Sequence, residues 1–98
     1  MQQIGSADQA SRSDRGVIRG RVVDGQGRPV EEAVVLITGD SPRHPDIAAL
    51  TGVRGEYSFI DLLPGNYTLL VNVADYEAQK GTVEVFAGDT GRLDFVID

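Results

Sequence analysis

The chain has 98 residues, 41% hydrophobic and 24% charged, which gives room for one domain of ordinary globular composition. Its net charge is −6: residues 1–49 carry six arginines against seven acids, and residues 50–98 three cations against eight acids. That balance repels phosphate backbones and argues against nucleic-acid binding, no apolar run reaches the roughly 18 residues of a membrane span, and the absence of cysteine excludes disulfides and thiolate chemistry.

Residues 1–15 are almost devoid of apolar side chains after Ile4. They are expected to form a tail or linker, because they bury too little surface to offset chain entropy. Met1–Ser6 has neither the basic start nor the apolar stretch of a secretory signal. A cytoplasmic protein and a domain of a longer, processed chain both fit that observation. The folded domain is expected over residues 16–98.

From Val17 to Val23 the chain alternates, with Ile18, Gly20 and Val22 on one face and Arg19 and Arg21 on the other. Asp24 to Pro29 is a turn. Ala33 to Ile37 is apolar and β-branched, as suits a strand in the middle of a sheet, with Ala33, Val35 and Ile37 facing inward. Residues 39–48 hold two prolines and the single histidine and form the longest irregular connection. A short strand near Ala49–Thr51 and the turn Gly52–Gly55 follow. Tyr57 and Phe59 then alternate with Glu56 and Ser58. Leu62-Leu63-Pro64-Gly65 makes a corner into Tyr67–Val73, and Thr82–Phe86 and Arg92–Ile97 close the chain. These are about seven short strands separated by turn signals, with no convincing 3.6-residue period, so the fold class is all-β.

The order of these motifs resembles the carboxypeptidase regulatory-like domains. Ile18-Arg19-Gly20-Arg21-Val22-Val23-Asp24, Gly27-Arg28-Pro29-Val30 and Ala33-Val34-Val35 resemble the family's opening. Thr51 to Leu69 is similar to its signature T-x-x-x-G-x-Y-x-F-x-x-L-x-P-G-x-Y-x-L, which here places Gly55, Tyr57, Phe59, Leu62, Pro64, Gly65 and Tyr67. The resemblance implies a seven-stranded prealbumin-like (transthyretin-like) β-sandwich of immunoglobulin-like, Greek-key type. It also implies a non-catalytic companion domain in a secreted or surface protein. Gly52 stands where the family usually has Asp, and Asp75 where Gly is usual. The motif has a physical reading as well. Gly55 lets the chain reverse, and Pro64-Gly65 fits the central pair of a type II turn. Tyr67 is placed to cover the core and send its hydroxyl to an upstream carbonyl, as in a tyrosine corner.

Reactive chemistry finds little support. His44, with Ser41 nearby, lacks any motif that would fix a base and present a nucleophile, and reads as an exposed loop residue. The hydroxyisourate hydrolases resemble this chain in architecture but use several histidines and a tyrosine-rich C-terminal tetrapeptide. This chain ends Phe95-Val96-Ile97-Asp98. Asp24, Asp40, His44, Asp46 and Asp89 are weighed as a calcium cluster, but they follow no D-x-D-x-D-G pattern and read as turn residues. The self-made isopeptide bond of Cna B-type domains needs an early lysine, and the only lysine, Lys80, lies late. No cofactor is expected.

Binding is the remaining class. Arg19, Arg21 and Arg28 read as a small positive ridge, either a solvated face or a contact for an acidic partner or the parent protein. Arg43, His44, Asp46 and Tyr76 are the candidate contacts of a glycan- or peptide-binding module. The expectation is therefore a monomeric, non-catalytic accessory domain of a larger extracellular, periplasmic or envelope protein, whose partners are neighbouring domains or another protein.

Overall fold

The computed structural model describes residues 14–38, 42 and 48–98. Eight strand segments run through them: β1 (Gly16–Asp24), β2 (Val34–Ile37), β3 (Ala48–Leu50), β4 (Glu56–Leu62), β5 (Gly65–Asn72), β6 (Gln79–Val85), β7 (Thr90–Arg92) and β8 (Phe95–Ile97). No helix occurs among the described residues. Residues 1–13 of the expected tail, and Asp40, Arg43, His44 and Asp46 of the long loop, lie outside them.

Two four-stranded sheets form a β-sandwich. In the first, β1 is central, with β4 antiparallel on one side and β7 and β8 parallel on the other. The second runs β3-β2-β5-β6, all antiparallel. As its sequence predicts, β2 has a strand on each side. Alternation decides what lies between the sheets: Ile18 and Val22 of β1, Tyr57 and Phe59 of β4, and Tyr67, Leu69 and Val71 of β5 are buried together. Phe95 and Ile97 of β8 complete that core, while Arg92, Asp94 and Val96 point outward.

The last strand is where the structure departs from the expected single run Arg92–Ile97. β7 and β8 share one register against β1, Val17 facing Thr90 and Val22 facing Phe95, yet pairing lapses at Leu93 and Asp94. The Leu93 N–H still donates to the Arg19 carbonyl at 3.0 Å, but the next ladder bond, from the Arg21 N–H to the Leu93 carbonyl, is replaced by two side-chain contacts. The Tyr57 hydroxyl donates to the Leu93 carbonyl, and the Asp94 carboxylate accepts the Arg21 backbone N–H at 2.9 Å. Glycine at position 20 makes the first of these contacts possible. A Cβ there would overlap the Leu93 carbonyl oxygen and stand 2.6 Å from Cζ of Tyr57. β7 and β8 are thus one edge strand in two pieces, and on that count the strands number the expected seven.

Tyr67 is fully buried and donates its hydroxyl to the Leu63 carbonyl at 2.5 Å, four residues upstream, as a tyrosine corner requires. Gly55 turns with φ 75°. Gly65 also has positive φ, but at 147° it is far from the roughly +80° of a type II turn. The expected type II turn is absent because Gly65 already belongs to the ladder, opposite Val85. Asp75 has φ 72°, the left-handed conformation that costs an L-residue free energy and costs glycine none.

Thr51, the first residue of the signature, is the buried polar side chain among the described residues. Its hydroxyl donates to the Val30 carbonyl at 2.6 Å and accepts the Ala33 N–H at 2.8 Å, which ties the β1–β2 connection to the end of β3. Thr51→Val keeps the shape but strands both backbone groups, so urea unfolding is expected to show a loss of about 2 kcal/mol or more. Asp75→Gly is expected to raise stability by a few tenths to about 1 kcal/mol in the same measurement, since relief of the left-handed backbone outweighs the added chain entropy.

Candidate functional site

The outer face of the first sheet is built on β1. Because successive side chains alternate, burying Ile18, Gly20 and Val22 obliges Arg19 and Arg21 to point away from the core. Register then decides their neighbours. Arg21 has Glu56 of β4 opposite it, and its Nε donates to the Arg54 carbonyl at 2.8 Å. Arg19 has Ser58 on the β4 side and Arg92 on the β7 side. Arg92 turns to Asp94, with Nε 3.2 Å from Oδ2. Arg19 therefore has a like charge on one flank and a neutral hydroxyl on the other, and its guanidinium makes no ion pair among the described residues.

A groove of about 500 Å³ opens on this face, lined by Arg19, Gly20, Glu56, Tyr57, Ser58 and Arg92, with Ala49 and Leu50 of β3 at its margin. The exposed charges of this sheet are mixed, Arg19, Arg21 and Arg92 with Glu56, Asp61 and Asp94. The third member of the expected ridge is used elsewhere. Arg28 pairs with Asp24 in the turn after β1, with Nε 3.3 Å from Oδ2.

The remaining candidate residues are dispersed. Tyr76 is 45% exposed in the turn between β5 and β6. The described flanks of the 39–48 loop lie at the other end of the sandwich, where a Cβ on Gly65 would meet the Pro42 ring at 2.6 Å. The eight residues of β5 separate the two ends by roughly 20 Å at about 3.3 Å per residue. Pro42 and Tyr76 thus stand at opposite ends of β5, while Arg43, His44 and Asp46 lie outside the described residues. Asp24 and Asp89 are likewise apart, Asp24 ending β1 and the Asp89 carbonyl accepting the Val17 N–H near its start. Asp24 is occupied as a turn residue. The backbone N–H of Arg28 first, then that of Gln26 and the Arg28 charge, hold its carboxyl below the usual range.

The signature aromatics are turned inward. Tyr57, Phe59, Leu62 and Tyr67 are all buried, with the Tyr57 and Phe59 rings edge to face at 6.2 Å. Burial raises the Tyr57 phenol well above its ordinary value of 10.0, with the Asp94 charge adding to the shift, and burial also raises Tyr67. Two contributors were not singled out from sequence. Arg92 looked like the first residue of the closing strand, and Ser58 like an outward spacer; only strand order sets them beside Arg19.

The raised phenols make stability fall in alkali. Above pH of about 10 the unfolded chain loses its tyrosyl protons while the folded protein keeps them, so the unfolded state binds fewer protons and is favoured. The urea midpoint is expected to hold below that pH and to decline above it. Tyr57→Phe should flatten the decline while lowering stability at neutral pH, since it leaves the Leu93 carbonyl without its donor.

Comparison with known proteins bears on what carries such a face. No curated protein sequence matches the chain. The TIE protein of Bacillus anthracis superposes with TM-score 0.72 at 17% identity, over 86% of this chain and 16% of that one. GBS52, the minor pilin of Streptococcus agalactiae, gives 0.70 at 15% identity, over 86% and 44%. Hydroxyquinol 1,2-dioxygenase from Pseudomonas putida gives 0.61 at 14% identity, over 85% and 56%. The chain thus spans between a sixth and little more than half of these proteins, and the likeness is one of fold. The family model for the carboxypeptidase regulatory-like domain matches residues 17–98. By that match, and with the Thr51–Leu69 signature folded as a core and a tyrosine corner, the chain belongs to the carboxypeptidase regulatory-like domain family.

Proposed function

We propose that this domain is a non-catalytic accessory module of a larger secreted or cell-envelope protein, in which it spaces, stabilises or docks neighbouring domains. The observation that carries the reading is the fate of the signature. Its aromatic residues are in the core, and its tyrosyl and threonyl hydroxyls are engaged by backbone groups of this same domain. Residues used in this way build a rigid unit. The structural neighbours support the modular part of the reading, because in each of them this fold is one portion of a longer chain. A surface protein such as a minor pilin is the kind of context meant. The sandwich acts mechanically, holding two attachment ends at a fixed separation and offering its exposed faces for docking.

Deleting residues 16–98 from the natural gene product tests this. Adjoining domains are expected to unfold at lower temperature or become more open to protease, while each folded molecule keeps its specific activity. A gene product with no further domain would overturn the proposal, as would a deletion that leaves the neighbours' stability unchanged. The non-catalytic part fails if the purified domain hydrolyses activated esters above the buffer rate and His44→Ala removes that rate.

A further inference from the structure

The first and last strands of the domain are neighbours in one sheet. β1 starts at Gly16, and β8 ends at Ile97, opposite Asp24, the last residue of β1. β7 and β8 both run parallel to β1, so the start of β1 and the end of β8 lie at opposite ends of one ladder. Nine residues at about 3.3 Å each set those ends roughly 30 Å apart. Tension between segments joined at the two ends pulls β1 one way and β7/β8 the other, along the strand axes. The hydrogen bonds between them lie across that pull and are strained together. A ladder opened from one end loses its bonds one after another.

The contacts along this ladder continue through the point where it is weakest. The Gly88 N–H donates to the Arg15 carbonyl at 2.9 Å, the Val17 N–H to the Asp89 carbonyl at 3.1 Å, and the Leu93 N–H to the Arg19 carbonyl at 3.0 Å. Where pairing lapses, the Asp94 carboxylate accepts the Arg21 N–H at 2.9 Å and the Tyr57 hydroxyl donates to the Leu93 carbonyl. Tyr57 belongs to β4 on the far side of β1, so the edge strand is anchored to the strand beyond its neighbour as well. Phe95 and Ile97 of β8 are buried in the core with Ile18 and Val22 of β1, and sliding must drag them through close packing.

We infer that this domain carries tension: it is a link loaded in shear, transmitting force between whatever is joined at its two ends without unfolding. The inference rests on the spacing role proposed above and adds the direction of force that the role would meet. Resistance to forced unfolding is set by the unfolding rate, so contacts that must break together on the way out decide it.

The test is single-molecule force clamping of the full chain in two geometries. In one, tethers are joined at the N-terminal and C-terminal ends. In the other, the second tether is joined at Ala87→Cys in the turn before β7, a unique thiol because the chain has no cysteine. That second geometry pulls β1 and β7 apart from their shared starting end. At equal force the end-to-end lifetime should be longer by at least about tenfold, since several bonds must break at once instead of one. Unfolding end to end should occur in a single step. Asp94→Ala should shorten the end-to-end lifetime about tenfold, the effect of losing one hydrogen bond to a charged group, and leave the Ala87→Cys lifetime unchanged. Asp94→Asn, which keeps an oxygen acceptor, should restore most of the loss. Equal lifetimes in the two geometries, stepwise extension end to end, or an Asp94→Ala effect of the same size in both, overturns the inference. Such a result removes the tension-bearing role alone, since the deletion experiment reads neighbouring domains with no force applied.

Discussion

Everything in the first sheet depends on the missing side chain at position 20. Gly20 lies on the inner face of the central strand, directly opposite Tyr57. With no Cβ in the way, the phenol ring crosses the strand and its hydroxyl reaches the Leu93 carbonyl beyond it. One side chain thereby joins three consecutive strands. The cost is a lapse in the β1–β7/β8 ladder, which the Asp94 carboxylate offsets by accepting the Arg21 N–H in place of a backbone carbonyl. A larger residue at 20 would expel the ring, free the carbonyl and unseat the edge.

The same logic recurs in the rest of the molecule at smaller scale. Buried hydroxyls cost free energy unless they are paired. Here each finds a backbone group in a segment lacking regular pairing: Tyr67 at the corner before β5, and Thr51 between the two ends of the β1–β2 connection. No buried side-chain nitrogen or oxygen among the described residues is left without a partner. Irregular connections are thus held by side chains where strands are held by each other. Rigidity of that kind suits the spacing role proposed above.

What lies outside the core is set by the same alternation that builds it. Each inward residue on β1 obliges an outward one, and the outward pair are arginines. Arg21 meets Glu56, whereas Arg19 meets Arg92 and Ser58. Arg19 is thus a charge placed beside a like charge, with no ion pair among the described residues.

By itself the sequence determined which residues are inside and where the chain turns. The period-2 pattern from Val17 to Val23 and from Glu56 to Phe59 is a local property, and burial followed it residue by residue. The Gly55–Tyr67 spacing was enough to place the tyrosine corner, since a hydroxyl reaching four residues back is also local. Tertiary structure decided what depends on strand order. Val17 and Thr90 are far apart in sequence and adjacent in the sheet. No local pattern reports such a parallel pairing, so neither the broken final strand nor the Arg19–Arg92 juxtaposition is legible in the sequence. It also separated Tyr76 from the 39–48 loop's described flanks, because the length of β5 lies between them. The turn at Pro64-Gly65 departs from type II geometry for a related reason: a dipeptide signals a turn type, but Val85 across the sheet draws Gly65 into the ladder.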